Sequence, residues 1–170
     1  MSAEPPPAAS ILAGRIGRPH GLDGSFYVTQ PRVQLLDAGR ELVLDGRREE
    51  VVRRAGTDAR PIVRLAGCRD RTTVEALRGR DLYVPRAEAP PLEEEEWWPE
   101  ELEGCEVHDG PRRVGVVRQL LGLPSCEVLE VARDGGGSDL LVPLIRDAVR
   151  SVDVAKRRID VDLAFLGEAD

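Results

Sequence analysis

A chain of 170 residues has room for one large domain or two small ones of roughly 80 to 90 residues, each with a modest core. Its opening, MSAEPPPAAS, lacks the charged and apolar regions of a leader peptide, and no later apolar run nears the roughly 20 residues that cross a bilayer; the expectation is a soluble, cytoplasmic protein. The net charge of -7 is unevenly spread: up to Val84, 14 Arg stand against 11 Asp or Glu, whereas from Pro85 onward 10 Lys or Arg face 20 acids. Such asymmetry favours two domains with different partners, the acidic one suited to a basic protein rather than to bare nucleic acid.

In chain order, residues 1–10 read as a flexible tail. Ile11 to Arg18 and Ser25 to Gln30 are strand-like runs divided by PHGLDG, whose Pro, Asp and two Gly carry tight-turn chemistry, so a hairpin is expected. ELVLDGRREEVVRR predicts a second hairpin turning at Asp45-Gly46, and RPIVRLAG a further strand. In DRTTVEALRG the period changes: Asp70 can cap a short helix, Val74 and Leu77 share a face, and Gly79 stops it. DLYVP closes this half as a strand.

From Pro85 to Pro99 four prolines among acids argue against regular structure, and residues 86–96 read as an acidic linker. Beyond it, GCEVHDG, RRVGVVRQLL, CEVLEVARDGGG, DLLVP and RRIDVDL are strand-length runs separated by Asp-Gly or Gly clusters. Ile159, Val161 and Leu163 alternate with Asp160 and Asp162 as a half-buried strand, while LIRDAVRSVD fits either a short helix or an irregular crossover. The fold class predicted is all-β: two small β-barrels over residues 11–85 and 97–168, the first with one short helix.

Catalytic and metal motifs are missing. The sequence holds no GxSxG elbow, P-loop, dinucleotide fingerprint or cysteine-nucleophile motif, so no catalytic residue and no enzyme activity are predicted. Cys68, Cys105 and Cys126 form no CxxC pair, and with only His20 and His108 beside them no metal site or cofactor is expected; the thiols read as buried apolar groups.

Five segments in order resemble the RimM family of ribosome maturation factors: GRIGRPHGLDGSFYV (14–28), CRDRTTVEALRGRDLYV (68–84), EEWWPEELEGCEV (95–107), RRVGVVRQLL (112–121) and LLVPLIRDAVRSVDVAKRRIDVDL (140–163). The resemblance implies an N-terminal six-stranded barrel akin to those of translation factors, a C-terminal PRC-barrel, and a monomeric assembly factor for the small-subunit head. The implied partners are ribosomal protein nineteen and the immature small subunit with its ribosomal RNA. A PRC-barrel adaptor with no part in ribosome assembly is the alternative.

The family's glycine signature falls on Gly14, Ile16, His20 and Gly21, with Gly24 after it, and its tyrosine pair falls on Trp97 and Trp98. Pro99 replaces a further aromatic, the following Asp-Leu-Ile-Gly reads Glu101-Leu102-Glu103-Gly104, and the Pro-hydrophobic-Ile motif is intact at Pro143 to Ile145. Trp97, Trp98, Glu101 and Leu102 are therefore expected at the partner surface, and Gly14, Gly21, Gly24, Gly104 and Pro143 as structural positions. Adjacent on an extended segment, the two indoles should point to opposite sides, one inward and one outward. The alternative for both is packing into the core. Arg15, Arg18 and His20 are candidate RNA contacts, with Arg32, Arg53 and Arg54 adding positive charge nearby; His20 equally suits a hydrogen-bonded loop anchor.

Overall fold

The computed structural model describes residues 9–168. The expected N-terminal tail lies outside the described residues as far as residue 8. The chain forms two units that divide between Pro91 and Leu92.

In the first unit six strands close a barrel in the order β1-β2-β5-β4-β3-β6: β1 (Ser10–His20), β2 (Ser25–Thr29), β3 (Glu41–Leu44), β4 (Arg47–Thr57), β5 (Arg60–Leu65) and β6 (Asp81–Pro85). Closure depends on the length of β1, whose first half pairs with β6 (Ile11 opposite Val84) and whose second half pairs with β2 (Ile16 opposite Val28). A strand serving two neighbours must bend, and β1 does so at irregularities between Leu12 and Gly14 and between Ile16 and Pro19. The other 11-residue strand, β4, does the same between β3 and β5, with its irregularity between Val51 and Arg53. Side chains alternating inward fill the lumen: Ile16, Phe26, Leu42, Leu65 and Leu82 are almost wholly buried, each adding about 1.5–3 kcal/mol of transfer free energy.

The short helix α1 (Arg71–Leu77) starts as the sequence predicts. Asp70 Oδ1 accepts from the Thr73 amide at 2.8 Å and from the Thr73 hydroxyl at 3.0 Å, Val74 is fully buried, and Gly79 follows at φ +85°. Those Thr73 bonds hold the Asp70 carboxyl below its ordinary range. Two turns depart from the reading. Val33–Leu35 winds as a 3-10 turn that seats Leu35 and Leu36 in the core. Arg86–Glu88, read as irregular linker, forms another, because Glu88 is drawn onto Arg48 at 2.6 Å and Arg86 donates its amide to Ala9.

The second unit is one six-stranded sheet in the order β10-β9-β8-β7-β12-β11. Strands β7 (Glu106–Asp109), β8 (Arg112–Gly122), β9 (Glu127–Arg133) and β10 (Leu140–Pro143) form an antiparallel meander. The chain then crosses over to the hairpin β11 (Val149–Asp153) and β12 (Arg158–Val161), which lays β12 parallel to β7 with Ile159 opposite Val107. The segment left open between helix and crossover thus ends as strand β11. Its local pattern suits either state, and pairing Val152 with Ile159 decides it. The one-turn helix α2 (Pro99–Leu102) introduces this unit, with Pro99 at the first helical position, and drives Leu102 into the core beside Cys105, Val107, Val117 and Ile159.

Cys68 and Cys105 are buried as expected, but Cys126 is half-exposed, since it sits at the β8–β9 turn rather than on a strand face. Burial, then the nearby Glu49 charge, pushes the Cys68 thiol up to about 11. At pH 8 a maleimide should therefore label Cys126 alone in the native protein and all three thiols after denaturation; intact-mass spectrometry reads the count.

The β1–β2 turn supplies a sharper test. Gly21 and Gly24 both have positive φ (70° and 86°), but a Cβ on Gly21 meets nothing within 4 Å, whereas one on Gly24 collides with the Cys68 carbonyl. Gly21→Ala should cost about 1 kcal/mol and Gly24→Ala at least twice that. Thermal melts of the two variants should differ by several degrees.

Candidate functional site

The acidic run leads into the second unit through a turn. The Glu96 amide donates to the Glu93 carbonyl at 3.2 Å, and Glu95 takes φ +68°, a left-handed conformation that non-glycine residues rarely adopt. After this turn Trp97 and Trp98 diverge. Trp98 is 2% exposed, while Trp97 is half-buried and packs against the edge of the second unit's core. Trp98 is in extended geometry (φ -73°, ψ 135°) just before α2, and the two neighbours differ in exposure. The Glu101 amide then donates to the Trp98 carbonyl at 2.9 Å, and Glu101 Oε2 accepts from the Trp98 amide at 3.3 Å.

Trp97 forms one wall of a groove of about 420 Å³. Leu144 and Ile145, from the crossover between β10 and β11, and Val149 and Val152, from β11, form the others. No ladder joins β10 to β11 among the described residues, so the groove lies on the side of the sheet where the strand order ends. The crossover is pinned by the amides of Ala148 and Val149, which both donate to the Ile145 carbonyl, and by a fully buried Ala148. Ile145 is thereby left 41% exposed.

Charge frames this apolar floor. Arg146 donates to Glu95 at 2.9 Å, and Arg150 reaches Asp109 at 2.8 Å, Asp162 at 3.2 Å and Asp160 at 3.4 Å. The Phe165 amide, with Arg150 as a smaller cause, holds the Asp162 carboxyl below its ordinary range. Both lining cations are thus neutralised within the unit. Glu93, Glu94 and Glu96 are exposed and have no cation within salt-bridge distance among the described residues. The groove is thus an apolar concavity whose one lining carboxylate, Glu95, is paired with Arg146. Among the described residues no three His, Cys, Asp or Glu cluster as a metal site, and no helix is long and apolar enough to cross a membrane.

Two expected partner residues move inside. Leu102 is fully buried because α2 points it into the core, and Trp98 is buried as well, at 2% exposure. Trp97 stays accessible, and Glu101 is half-buried against the Trp98 amide. Gly104 takes φ +77°, a conformation other residues rarely adopt, beside the Arg157 guanidinium, which donates to the Glu103 carbonyl at 3.0 Å. Pro143 ends β10 opposite Val128. Leu144 and Ile145, recognised in the sequence only as part of a motif, prove to be groove walls; Arg150 carried no signal except the alternating Asp160 and Asp162 it bridges.

On the first unit, Arg15 is engaged by Asp81 at 2.6 Å on the barrel wall. His20 behaves as an anchor: its Nδ1 lies 3.0 Å from the Tyr27 hydroxyl, and the two rings meet edge to face. Gly14, at φ +152°, sits where a Cβ would strike Val28. Arg18 lies over the Tyr27 ring at 4.8 Å. The sequence reading did not single out Tyr27.

Trp98→Ala should lower unfolding stability by about 3–5 kcal/mol, as for a buried tryptophan, and Trp97→Ala by well under half as much. Denaturant titrations followed by circular dichroism separate them; equal losses would mean that both rings are core.

Residues 11–89 match the family described as the RimM N-terminal domain, and residues 99–165 match the RimM PRC barrel domain. Curated relatives include the ribosome maturation factor RimM of Acidothermus cellulolyticus, 37% identical over 158 residues and covering 89% of each chain. That of Sorangium cellulosum is 38% identical over 165 residues, covering 89% of this chain and 92% of its own. A solved RimM structure from Pseudomonas aeruginosa is 29% identical over 90% of this chain and 96% of that one, with a TM-score of 0.41. With both family domains matched in order and relatives 37–38% identical over most of their length, the chain belongs to the RimM family of ribosome maturation factors.

Proposed function

We propose that this ribosome maturation factor acts without catalysis, as an assembly chaperone for the head of the small subunit. Its acidic second unit holds ribosomal protein nineteen, and its first unit leans on immature ribosomal RNA. The observation that carries the reading is the Trp97 groove: apolar walls at the end of the strand order, with the exposed Glu93, Glu94 and Glu96 preceding Trp97 in the chain. A basic ribosomal protein not yet matched by folded RNA would be steered by the carboxylates and retained by an apolar anchor in the groove. Arg15, Arg18 and His20 are the proposed RNA contacts, and the chain would work in the cytoplasm as a monomer. Family membership speaks against an adaptor with no role in ribosome biogenesis.

The test is binding of the full chain to immobilised ribosomal protein nineteen. Trp97→Ala should weaken it about tenfold or more, Trp97→Tyr should retain most of it, and the association rate should fall as salt rises above about 0.1 M. Unchanged binding by Trp97→Ala would remove the groove from the interface.

A further inference from the structure

A second constellation sits on the first unit. Tyr27 lies on β2 between Phe26 and Val28, which point into the barrel, so its ring projects outward. Two guanidinium groups pack over it: Arg18 from β1, 4.8 Å from the ring centroid, and Arg60 from the start of β5, at 4.5 Å. The His20 contact with the hydroxyl holds the ring in place. Gly17 on the β1 irregularity lets the strands approach closely, since a Cβ there would lie 2.6 Å from the Tyr27 carbonyl oxygen.

Several cations around this barrel are already answered: Arg15 by Asp81, Arg48 by Glu41 and Glu88, Arg53 by Asp23, Arg54 by Asp58, and Arg80 by Asp45. Arg18 and Arg60 have no carboxylate within salt-bridge distance among the described residues, although the aromatic ring brings them together. They line a groove of about 630 Å³ with Arg15, Arg78, Tyr27 and Gln30, and no Asp or Glu lines it. Two like charges gathered in a concavity without a counter-charge repel each other until an anion enters.

We propose that this groove binds an unpaired nucleotide of RNA, its phosphate accepting hydrogen bonds from the N–H edges of Arg18 and Arg60 and its base stacking on a guanidinium face. The tier of guanidinium on tyrosine favours RNA over an acidic peptide, because a carboxylate uses only the N–H edges whereas a nucleobase also uses the flat face. The concave shape favours a single strand, whose bases can enter, over a duplex, whose bases are stacked inside. The inference rests on the reading that the first unit touches ribosomal RNA, and adds Arg60 and Tyr27 to Arg18 as the centre of that contact.

The experiment uses the full chain and a fluorescein-labelled 12-nucleotide single-stranded RNA of mixed sequence, with the same sequence as a duplex in parallel; anisotropy reads binding. The double variant Arg18→Ala/Arg60→Ala should lose tenfold or more in affinity for the single strand and flatten its salt dependence by about one in log-log slope. A charge-matched control, Arg47→Ala/Arg69→Ala, outside the groove, should lose threefold or less. Arg18→Lys/Arg60→Lys keeps the charge, covers the case in which the alanine pair fails to fold, and should keep the salt slope while losing the preference for single strand over duplex. Equal losses in groove and control variants, a preference for duplex, or no RNA binding by the unmodified chain would each overturn the inference. Ribosomal protein nineteen binding, measured on the same variants, should not change. If RNA results fail while that binding persists, only the groove is wrong; if Trp97→Ala leaves that binding intact, the failure belongs to the proposed function.

Discussion

Strand edges govern both units. A β-strand at a sheet edge exposes unpaired N–H and C=O groups that must be paired, covered or left to meet another chain. The first unit leaves no such edge, because the 11-residue strands β1 and β4 each serve two neighbours and bend at irregularities to do so. The second unit has shorter outer strands, four residues in β10 and five in β11, and pairing stops between them. There the crossover supplies apolar side chains instead of a ladder, and Trp97 packs beside them. The same requirement yields a sealed wall in one unit and a groove in the other.

Charge follows a related division, less by count than by what remains unpaired. In the second unit Arg146 and Arg150 are held by neighbouring carboxylates, so the surplus near the groove is the exposed glutamate run. In the first unit several arginines are paired on the barrel wall, while at Tyr27 cation–π contacts hold Arg18 and Arg60 together without neutralising them. Exposed ion pairs contribute little to stability. Their larger effect here is on which charges stay available: exposed glutamates on the second unit and the Arg18–Arg60 pair on the first.

Much of the fold was legible because it rests on local chemistry. Asp70, Val74 and Gly79 announce a helix of the right extent, Asp45-Gly46 turns its hairpin, and Ile159 and Val161 alternate inward as the pattern requires. The site was less so. Trp97 and Trp98 are chemically identical neighbours, and the separation of one as buried and one as groove wall depends on the turn at Glu95 and on where α2 begins. Leu102 reads as a motif residue next to a partner surface until the helix turns it inward.

The sequence by itself determined the class, the two-part organisation, the hairpin turns and the opposition of a basic half to an acidic one, since these depend on residue type and short-range spacing. Only the tertiary structure decided that 149–153 is a strand, that Cys126 is accessible, that Leu144 and Ile145 face Trp97, and that Arg18 and Arg60, 42 positions apart, share one tyrosine. Each of those depends on pairing between segments distant in the chain, where register, not composition, sets which side chains meet.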